Sequence, residues 1–377
     1  MHFLERERSA LNKLMPGLDS ALAAVPLPEL ERPSNPGIEA FRRCGGPGLL
    51  VPTEHGGAGA SALEAVRAQR ALGARSPSLA VATTMHHFSM ASLVVLSETS
   101  TGFEWMLMEG VASGGKLLAS GFAEGRPDAN ILQPTMTAVA ADGGVRVSGV
   151  KRPCSLARSM DLLTASVLVP AAGGAGEQLA VALIPAGSEG LTVSPFWGSF
   201  VLAGAESEQV TVDDVFVPDE LLVRTEVPEG HSLDALQVAG FLWFELLMSA
   251  SYLGAASTLV ERVLVNERIP ASERTRLVAE LEAAMAGLEN VARQMPQSQR
   301  DQRLLADCLF VRYAVQDALA RVVPRTVEAL GGIAFISSDD IGYLASVVNA
   351  LGFHPPSRAK MAGPLTDYLL GEPLTVA

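Results

Sequence analysis

Two kinds of hydrophobic period follow one another along the first two thirds of the chain. From about residue 3 to residue 101, apolar positions recur at helical spacing and are interrupted by loops such as residues 56–59, which read GGAG. From about residue 135 to residue 223 the period shortens, and runs such as residues 179–184 and 210–217 are typical of strands between Gly, Pro and Asp turns. The pattern predicts a helical block followed by a β-domain.

The helical period returns after the β-domain. Leu277 and Leu281 lie on one apolar face of the kind that amphipathic helices use to pack in a bundle. The order α, β, α predicts an α+β fold that is mainly α. We expect an N-terminal helical domain at residues 1–115, a central β-domain at residues 116–228 and a C-terminal helical bundle at residues 229–377.

Composition narrows the function classes. Of the 377 residues, 48% are hydrophobic and only 18% are charged, which excludes a disordered chain and favours a helix-rich globular enzyme. The net charge of −13 and the pI near 5.0 would repel phosphate backbones and anionic lipid. We therefore expect neither a nucleic-acid partner nor a membrane partner.

The N-terminus and the cysteines indicate a cytoplasmic protein without a metal site. The first eight residues mix charges with no apolar core of signal-peptide length, and no apolar run is long enough to span a membrane. Cys44, Cys154 and Cys308 are far apart and form no C-x-x-C pair, so neither a disulfide framework nor a zinc site is predicted.

Six stretches that together span nearly the whole chain carry a family resemblance. They are residues 50–59 (LVPTEHGGAG), 118–124 (LASGFAE), 147–155 (VSGVKRPCS), 210–218 (VTVDDVFVP), 241–256 (FLWFELLMSASYLGAA) and 328–335 (EALGGIAF). In this order they resemble the acyl-CoA dehydrogenase superfamily. The resemblance implies a β-barrel or sandwich as the central domain, a C-terminal four-helix bundle, bound FAD and a homodimer or homotetramer.

The resemblance also implies where the flavin binds. Phe122, Ala123 and Glu124 match the segment that lies along the flavin ring in the family, and Ser155 keeps a hydroxyl that hydrogen-bonds the flavin. Pro153 stands where the family has a tryptophan that packs on the ring.

A second part of the expected FAD site comes from a late helical turn. Glu328, Gly331 and Gly332 match a turn at which paired glycines let the backbone approach the FAD of a neighbouring subunit. Residues 267–272 differ from the family segment that contacts FAD across that interface, so we expect altered contacts on the adenine side.

A catalytic base is harder to assign. The family glutamate near the C-terminus is missing, because residues 353–358 read FHPPSR. Other members carry the base on the helix that opens the bundle, where Phe244 takes the matching position and Glu245 follows one residue later, about 100° around a helix. Glu245 lies in an apolar run, so it is a candidate base with a raised pKa, it pairs with an arginine or caps a backbone group, or it faces solvent. His354 is the alternative base.

The substrate pocket is expected to involve His86, His87 and Phe244. The two histidines match a family helix near the deep end of the acyl pocket. Adjacent residues on a helix point in different directions, so at most one of them is expected to line the pocket, and simple packing is the alternative role.

Three functions stay open. The first is a flavin-dependent oxidoreductase that acts on an acyl thioester, linked to CoA or to a carrier protein, in a specialised biosynthetic pathway; the sequence does not identify its electron acceptor. The second is a flavin-dependent monooxygenase of the same fold, which needs no α-proton abstraction and so fits the missing glutamate. The third is a flavin-free homologue without catalysis. Pro153 and the altered turn at residues 125–130 support this alternative.

Overall fold

The computed structural model describes residues 1–98, 102, 104–126, 134–171, 176–224, 233–298 and 301–376. Seven helices come first: α1 Glu5–Leu14, α2 Leu18–Ala23, α3 Leu27–Leu30, α4 Pro36–Arg43, α5 Ala62–Arg75, α6 Pro77–Ser97 and α7 Glu104–Gly114. Eight strands follow: β1 Leu118–Gly121, β2 Thr137–Ala141, β3 Gly144–Cys154, β4 Leu162–Pro170, β5 Glu177–Pro185, β6 Leu191–Ser194, β7 Glu208–Pro218 and β8 Leu222–Arg224. Six helices end the described chain: α8 Ala235–Leu264, α9 Ala271–Ser298, α10 Gln302–Leu330, α11 Gly332–Ile336, α12 Asp339–Val347 and α13 Arg358–Leu369.

The fold is mainly helical with one sheet, as the sequence predicted, but the sheet is open. Its described strands run in the order β6-β7-β3-β2-β4-β5-β8, and β1 pairs with β4 in parallel. A closed barrel would require β6 and β8 to pair with each other. Both are short edge strands that pair only inward, β6 with β7 and β8 with β5, so the predicted barrel is not seen.

Capping residues define where two core helices, α5 and α8, begin. Ser61 and Glu64 form a capping box at α5, in which each side chain bonds the backbone N–H of the other residue. Asp234 and Gln237 repeat this arrangement at α8. Each box satisfies backbone N–H groups that the first turn of a helix otherwise leaves without a partner.

Helix α8 is the centre of the helical core. It packs against α5, α6, α9 and α10, and it approaches α5 so closely that a Cβ on Gly73 would lie 2.1 Å from the Ser251 carbonyl oxygen. A Cβ on Gly254 would likewise lie 2.2 Å from the Arg70 carbonyl oxygen. The two glycines therefore allow an N-terminal helix and a C-terminal helix to share one core.

The domain boundaries remain predictions. Helix α7 ends at Gly114 and strand β1 begins at Leu118, on either side of the boundary expected after residue 115. The boundary expected at residues 228 and 229 lies outside the described residues, as do residues 127–130 of the altered turn.

Two helices, α6 and α8, are long and apolar enough to span a membrane. Within the protein, however, 72% of the apolar window of α6 and all of that of α8 are buried. Packing in the core accounts for their hydropathy.

Candidate active site

A cavity of about 220 Å³ lies between the sheet and the helices. Its helical wall comes from α6 and α8, with Phe88 and Phe244 as the largest side chains. Its sheet wall comes from the ends of β1 and β3 and from β4 and β5. The cavity thus occupies the junction of the two layers, where ligand sites are common.

Hydroxyl groups supply most of the polarity of the cavity. None of the lining residues in the described part of the chain is Asp, Glu, Lys or Arg. The lining hydroxyl side chains are Ser89, Ser92, Ser120, Ser155, Thr164, Ser166 and Ser207. The walls can therefore bind a neutral, partly apolar molecule but offer no full charge to an ion.

Most of these hydroxyls already bond protein groups. Thr164 Oγ1 donates to the Ala119 carbonyl oxygen at 3.0 Å, and Ser89 Oγ donates to the Met85 carbonyl oxygen at 3.1 Å. Ser155 and Ser207 differ, because their hydroxyls bond each other at 2.9 Å and neither donates to a carbonyl oxygen of the described residues. Two hydroxyls carry two hydrogens and use one in their mutual bond, so one donor remains for a ligand.

A buried ion pair lies behind the sheet wall. Lys151 Nζ donates to Glu124 Oε1 at 2.7 Å and to the lining hydroxyl of Ser166 at 3.0 Å. Burial alone would raise the pKa of Glu124, but the hydrogen bonds from Lys151 and Thr135 outweigh it and the pKa lies below the usual value. Glu124 is therefore a charged group that bonds other protein groups, and it does not line the cavity.

Aromatic rings form the helical wall. The Phe88 ring centroid lies 5.6 Å from that of Phe122 and 5.7 Å from that of Phe244. The Phe244 centroid in turn lies 6.2 Å from that of His354, whose Nε2 is hydrogen-bonded to the Tyr252 hydroxyl at 2.8 Å. Phe122, Ala123, Ser155, Phe244 and His354, from four separate parts of the sequence, therefore meet at one cavity.

His354 is a neutral ring at physiological pH. Burial, and second the positive charge of Arg312, lower its pKa to about 3. A group with this pKa is a weak base at neutral pH, although it can still donate or accept a hydrogen bond.

Glu245 does not line the cavity. It forms an ion pair with Arg312 at 2.8 Å, and neither side chain is exposed. Burial raises the pKa of Glu245 to about 7, and the charge of Arg312 opposes this rise. Of the three environments considered for Glu245, the structure shows the pairing with an arginine.

The two adjacent histidines are packed in the core rather than in the cavity wall. His86 Nε2 lies 2.9 Å from the Pro47 carbonyl oxygen, and His86 Nδ1 accepts from the Leu118 N–H at 3.1 Å. His87 is buried and packs on the Phe41 ring, and its ring nitrogens bond no described residue. Burial lowers the pKa of both histidines, so both are neutral.

Glu328, Gly331 and Gly332 also lie apart from the cavity. They end α10 and begin α11, where Gly331 adopts a φ of +84° that favours glycine. None of the three lines the cavity of its own chain. The structure therefore brings only the first part of the expected flavin site together.

Sequence reasoning missed several residues of the site. Ser207 and Trp197 line the cavity from irregular segments that have no periodic signal. Arg312 did carry a signal, because it lies between Cys308 and Val315 on the apolar face of α10. A cation on one apolar face and an anion in another apolar run predict a buried pair.

No model of a known protein family matches the chain. The isobutylamine N-hydroxylase of Streptomyces viridifaciens, however, is 45% identical over 379 residues, and the alignment covers the whole of both proteins. The chain belongs to the family of flavin-dependent monooxygenases that contains this N-hydroxylase.

Solved structures agree on the fold of this monooxygenase family. A nitrososynthase from Micromonospora carbonacea var. africana matches with a TM-score of 0.83, 20% identity and 98% coverage of both chains. KijD3 in complex with FMN and a dTDP-amino-keto sugar matches with a TM-score of 0.81 at 19% identity, over 97% of this chain and 94% of that one. FMN-bound TdsC from Paenibacillus sp. A11-2 matches with a TM-score of 0.80 at 18% identity, over 100% and 99%.

These comparisons correct the first functional prediction. Dehydrogenation of an acyl thioester is wrong, because the full-length relative is an N-hydroxylase and the similar structures include a nitrososynthase and KijD3 rather than acyl-CoA dehydrogenases. The monooxygenase alternative agrees with them, and the protein is a flavin-dependent oxidoreductase. FAD in particular is not supported, since the similar structures hold FMN. The six segments resemble the acyl-CoA dehydrogenases because they encode the fold that this monooxygenase family shares with them.

Proposed function

We propose that the protein hydroxylates the nitrogen of a small aliphatic primary amine, using dioxygen and reduced flavin. The balanced reaction converts the amine, dioxygen and reduced flavin into the hydroxylamine, water and oxidised flavin. The observation that carries this proposal is the 45% identity to an isobutylamine N-hydroxylase along the whole chain. The bound flavin supplies the two electrons that dioxygen needs.

The cavity supports an amine that binds as the free base. Nitrogen attacks through its lone pair, which an ammonium ion lacks, and an alkylamine has a pKa near that of lysine, about 10.4. None of the described lining residues is a carboxylate that would stabilise the ammonium. Apolar side chains such as Phe88 and Leu183 instead suit a short alkyl group.

The residues of the sheet wall fit a flavin ring. Pro153, Trp197 and Phe122 offer flat apolar surface, and the Ser155–Ser207 pair keeps one hydrogen for a polar ring edge. We infer FMN rather than FAD. The FMN in KijD3 and TdsC supports this, as does the change at residues 267–272, which match the adenine-side contact of the dehydrogenases.

The catalytic group that we infer is His354, as a hydrogen-bonding group and not as the base first considered. Its pKa of about 3 lies far below that of an alkylammonium ion, so the ring is a poor acceptor for the proton of the amine.

The predicted homo-oligomer is kept as part of this proposal. Ile333 and Ile336 on α11 are each 81% exposed, directly after the Gly331-Gly332 pair. We infer that a second copy covers them, in line with the resemblance of the glycine pair to a contact between subunits. A solution mass near 39.5 kDa in light scattering would contradict this part.

Product analysis tests the proposal. Purified protein with FMN, NADH and a separate flavin reductase should convert isobutylamine into its hydroxylamine, with one oxygen atom from ¹⁸O₂ in the product. An acyl-CoA with an artificial electron acceptor is the matched negative control. No N-oxidised product from a panel of short primary amines would overturn the proposal.

A further inference from the structure

Three buried side chains outside the cavity wall hold His354 in place. Tyr252 bonds its ring, Arg312 bonds its backbone, and Glu245 pairs with Arg312. None of the three lines the cavity. The hydrogen bonds that Tyr252 and Arg312 donate determine the tautomer and the position of the His354 ring.

The Tyr252 hydroxyl determines which ring nitrogen carries the proton. Tyr252 is only 1% exposed, and in the described part of the chain its hydroxyl has no partner other than His354 Nε2. If Nε2 carried the hydrogen, the hydroxyl hydrogen would be buried without an acceptor, which costs about 1–3 kcal/mol. The hydroxyl therefore donates to Nε2, and the neutral ring carries its hydrogen on Nδ1.

Arg312 fixes the chain segment that carries the ring. Its Nη1 donates to the Pro356 carbonyl oxygen at 3.1 Å, and its Nη2 donates to those of Leu351 at 3.1 Å and His354 at 2.6 Å. The segment needs this clamp, because the neighbouring Phe353 is 85% exposed and packs little. Glu245 on α8 lies 2.8 Å from the guanidinium, so this ion pair ties the clamp to α8.

We propose that Tyr252 and Arg312 are positioning residues that present His354 to the cavity as a hydrogen-bond donor through Nδ1. His354 lines the cavity, and Nδ1 bonds no residue that the structure describes. This inference rests on the proposed function, in which one oxygen atom joins the amine nitrogen and the other leaves as water. The Nδ1 hydrogen is the donor that stabilises the negative charge developing on the leaving oxygen.

A double-mutant cycle tests the role of Tyr252. Tyr252→Phe should lower kcat/KM about ten-fold, as expected when an orienting hydrogen bond of about 1.4 kcal/mol is lost. In a His354→Ala background the same change should have no further effect, because Tyr252 acts through the ring. Equal losses in both backgrounds would overturn the proposal.

Tyr313→Phe is the matched control. It also removes one phenolic hydroxyl near the segment, but that hydroxyl donates only to the Pro356 carbonyl oxygen at 3.3 Å. Its kcat/KM should stay within about two-fold of wild type, since this long bond does not touch the ring. A loss as large as that of Tyr252→Phe would mean that loop packing, and not ring orientation, is what matters.

Arg312→Lys tests the clamp against a second buried arginine. Arg70 is equally buried and pairs with Glu7 and Glu282 far from the cavity. Both lysine variants should melt at lower temperature, but only Arg312→Lys should form less hydroxylamine per NADH consumed, with hydrogen peroxide released instead. Equal product yield in both variants would reduce Arg312 to a purely structural role.

Nitrogen NMR separates this inference from the proposed function. With ¹⁵N-labelled histidine, the His354 signals, assigned by their loss in His354→Ala, should report the Nδ1–H tautomer in the wild type and a mixture in Tyr252→Phe. The Nε2–H tautomer in the wild type would overturn the positioning role even in an active enzyme. An inactive wild type with the Nδ1–H tautomer would overturn the function instead.

Discussion

The sheet wall and the helical wall of the cavity are each backed by a buried ion pair, Lys151–Glu124 and Arg312–Glu245. Glu124 also accepts hydrogen bonds from the Thr135 backbone and hydroxyl, whereas Arg312 is the one partner of Glu245 among the described residues. Burial raises the pKa of Glu245 to about 7, while the additional donors keep the pKa of Glu124 low. The pKa of a buried carboxylate therefore depends on the balance between burial, which dominates at Glu245, and a cation with further donors, which dominate at Glu124.

This difference between the two ion pairs matches a difference between the two walls that they support. Behind the sheet wall, several donors bond Glu124, and the wall itself offers hydroxyl groups to a flat cofactor. The helical wall has aromatic rings and His354, and the pair behind it is Arg312–Glu245. We expect the sheet wall to tolerate change least.

The largest effect should come from breaking the sheet-side pair. Lys151→Met leaves the Glu124 carboxylate buried without its cation, so the free energy of unfolding should fall by about 3–5 kcal/mol. Urea denaturation measures it. The matched control is Lys116→Met, because Lys116 is half exposed in its pair with Asp161, and its loss should cost less than about 1 kcal/mol. Similar losses of unfolding free energy in the two variants would mean that the buried pair stabilises the fold no more than an exposed pair does.

The helical-side pair should make stability depend on pH. The folded pKa of Glu245, about 7, lies above its unfolded value of 4.5, so the folded state binds the proton more tightly. The stabilisation is complete below pH 4.5 and is lost as the pH rises to about 7, on the order of 3 kcal/mol at about 1.4 kcal/mol per pH unit. Glu245→Gln should remove this contribution to the slope of the free energy of unfolding against pH.

Glu31 provides the comparison for that slope. Burial raises its pKa to about 7 as well, against hydrogen bonds from Ser76, Ser78 and Tyr343. Glu31→Gln should therefore also remove a share of the pH dependence between pH 4.5 and 7. An unchanged slope in Glu245→Gln would show that Arg312 keeps Glu245 charged throughout.

The activity should follow the free amine, because neither ion pair faces the cavity. Below the pKa of the amine, kcat/KM should rise about ten-fold per pH unit, in step with the unprotonated fraction. A β,β,β-trifluorinated amine, which is largely unprotonated at neutral pH because three fluorines withdraw charge from the nitrogen, should show a flat profile there. A steep profile for both amines would assign the titration to the protein.

Some of the site could be predicted from the sequence, for identifiable reasons. Phe122, Ala123 and Ser155 occupy motif positions set by the backbone of the sheet, and the structure places them at the cavity. Glu245 follows the matching position by one residue, and that single step turns its side chain from the cavity toward Arg312.

Other features depend on contacts that the sequence pattern does not encode. Alternation of apolar residues defines the two faces of a strand, but not whether edge strands such as β6 and β8 meet, so the predicted barrel is not confirmed. The chemistry was wrong for a similar reason. Motifs that encode the fold are shared between dehydrogenases and monooxygenases, while the reaction depends on the side chains that line the site.

The smallest effect should come from the hydroxyl pair of the sheet wall. Ser155→Ala removes one partner of the Ser155–Ser207 bond and should weaken FMN binding by about five- to ten-fold, the value of one neutral hydrogen bond. Ser207→Ala should cost about the same, and the double variant little more, because both hydroxyls serve one donor to the ligand. Ser89→Ala on the helical wall is the control, since its hydroxyl is already bonded to the Met85 carbonyl and should not affect FMN affinity. Fluorescence quenching of FMN measures all four. If Ser89→Ala weakened binding as much as Ser155→Ala, the flavin would not be held by the sheet wall, and the division of tasks between the two walls would be wrong.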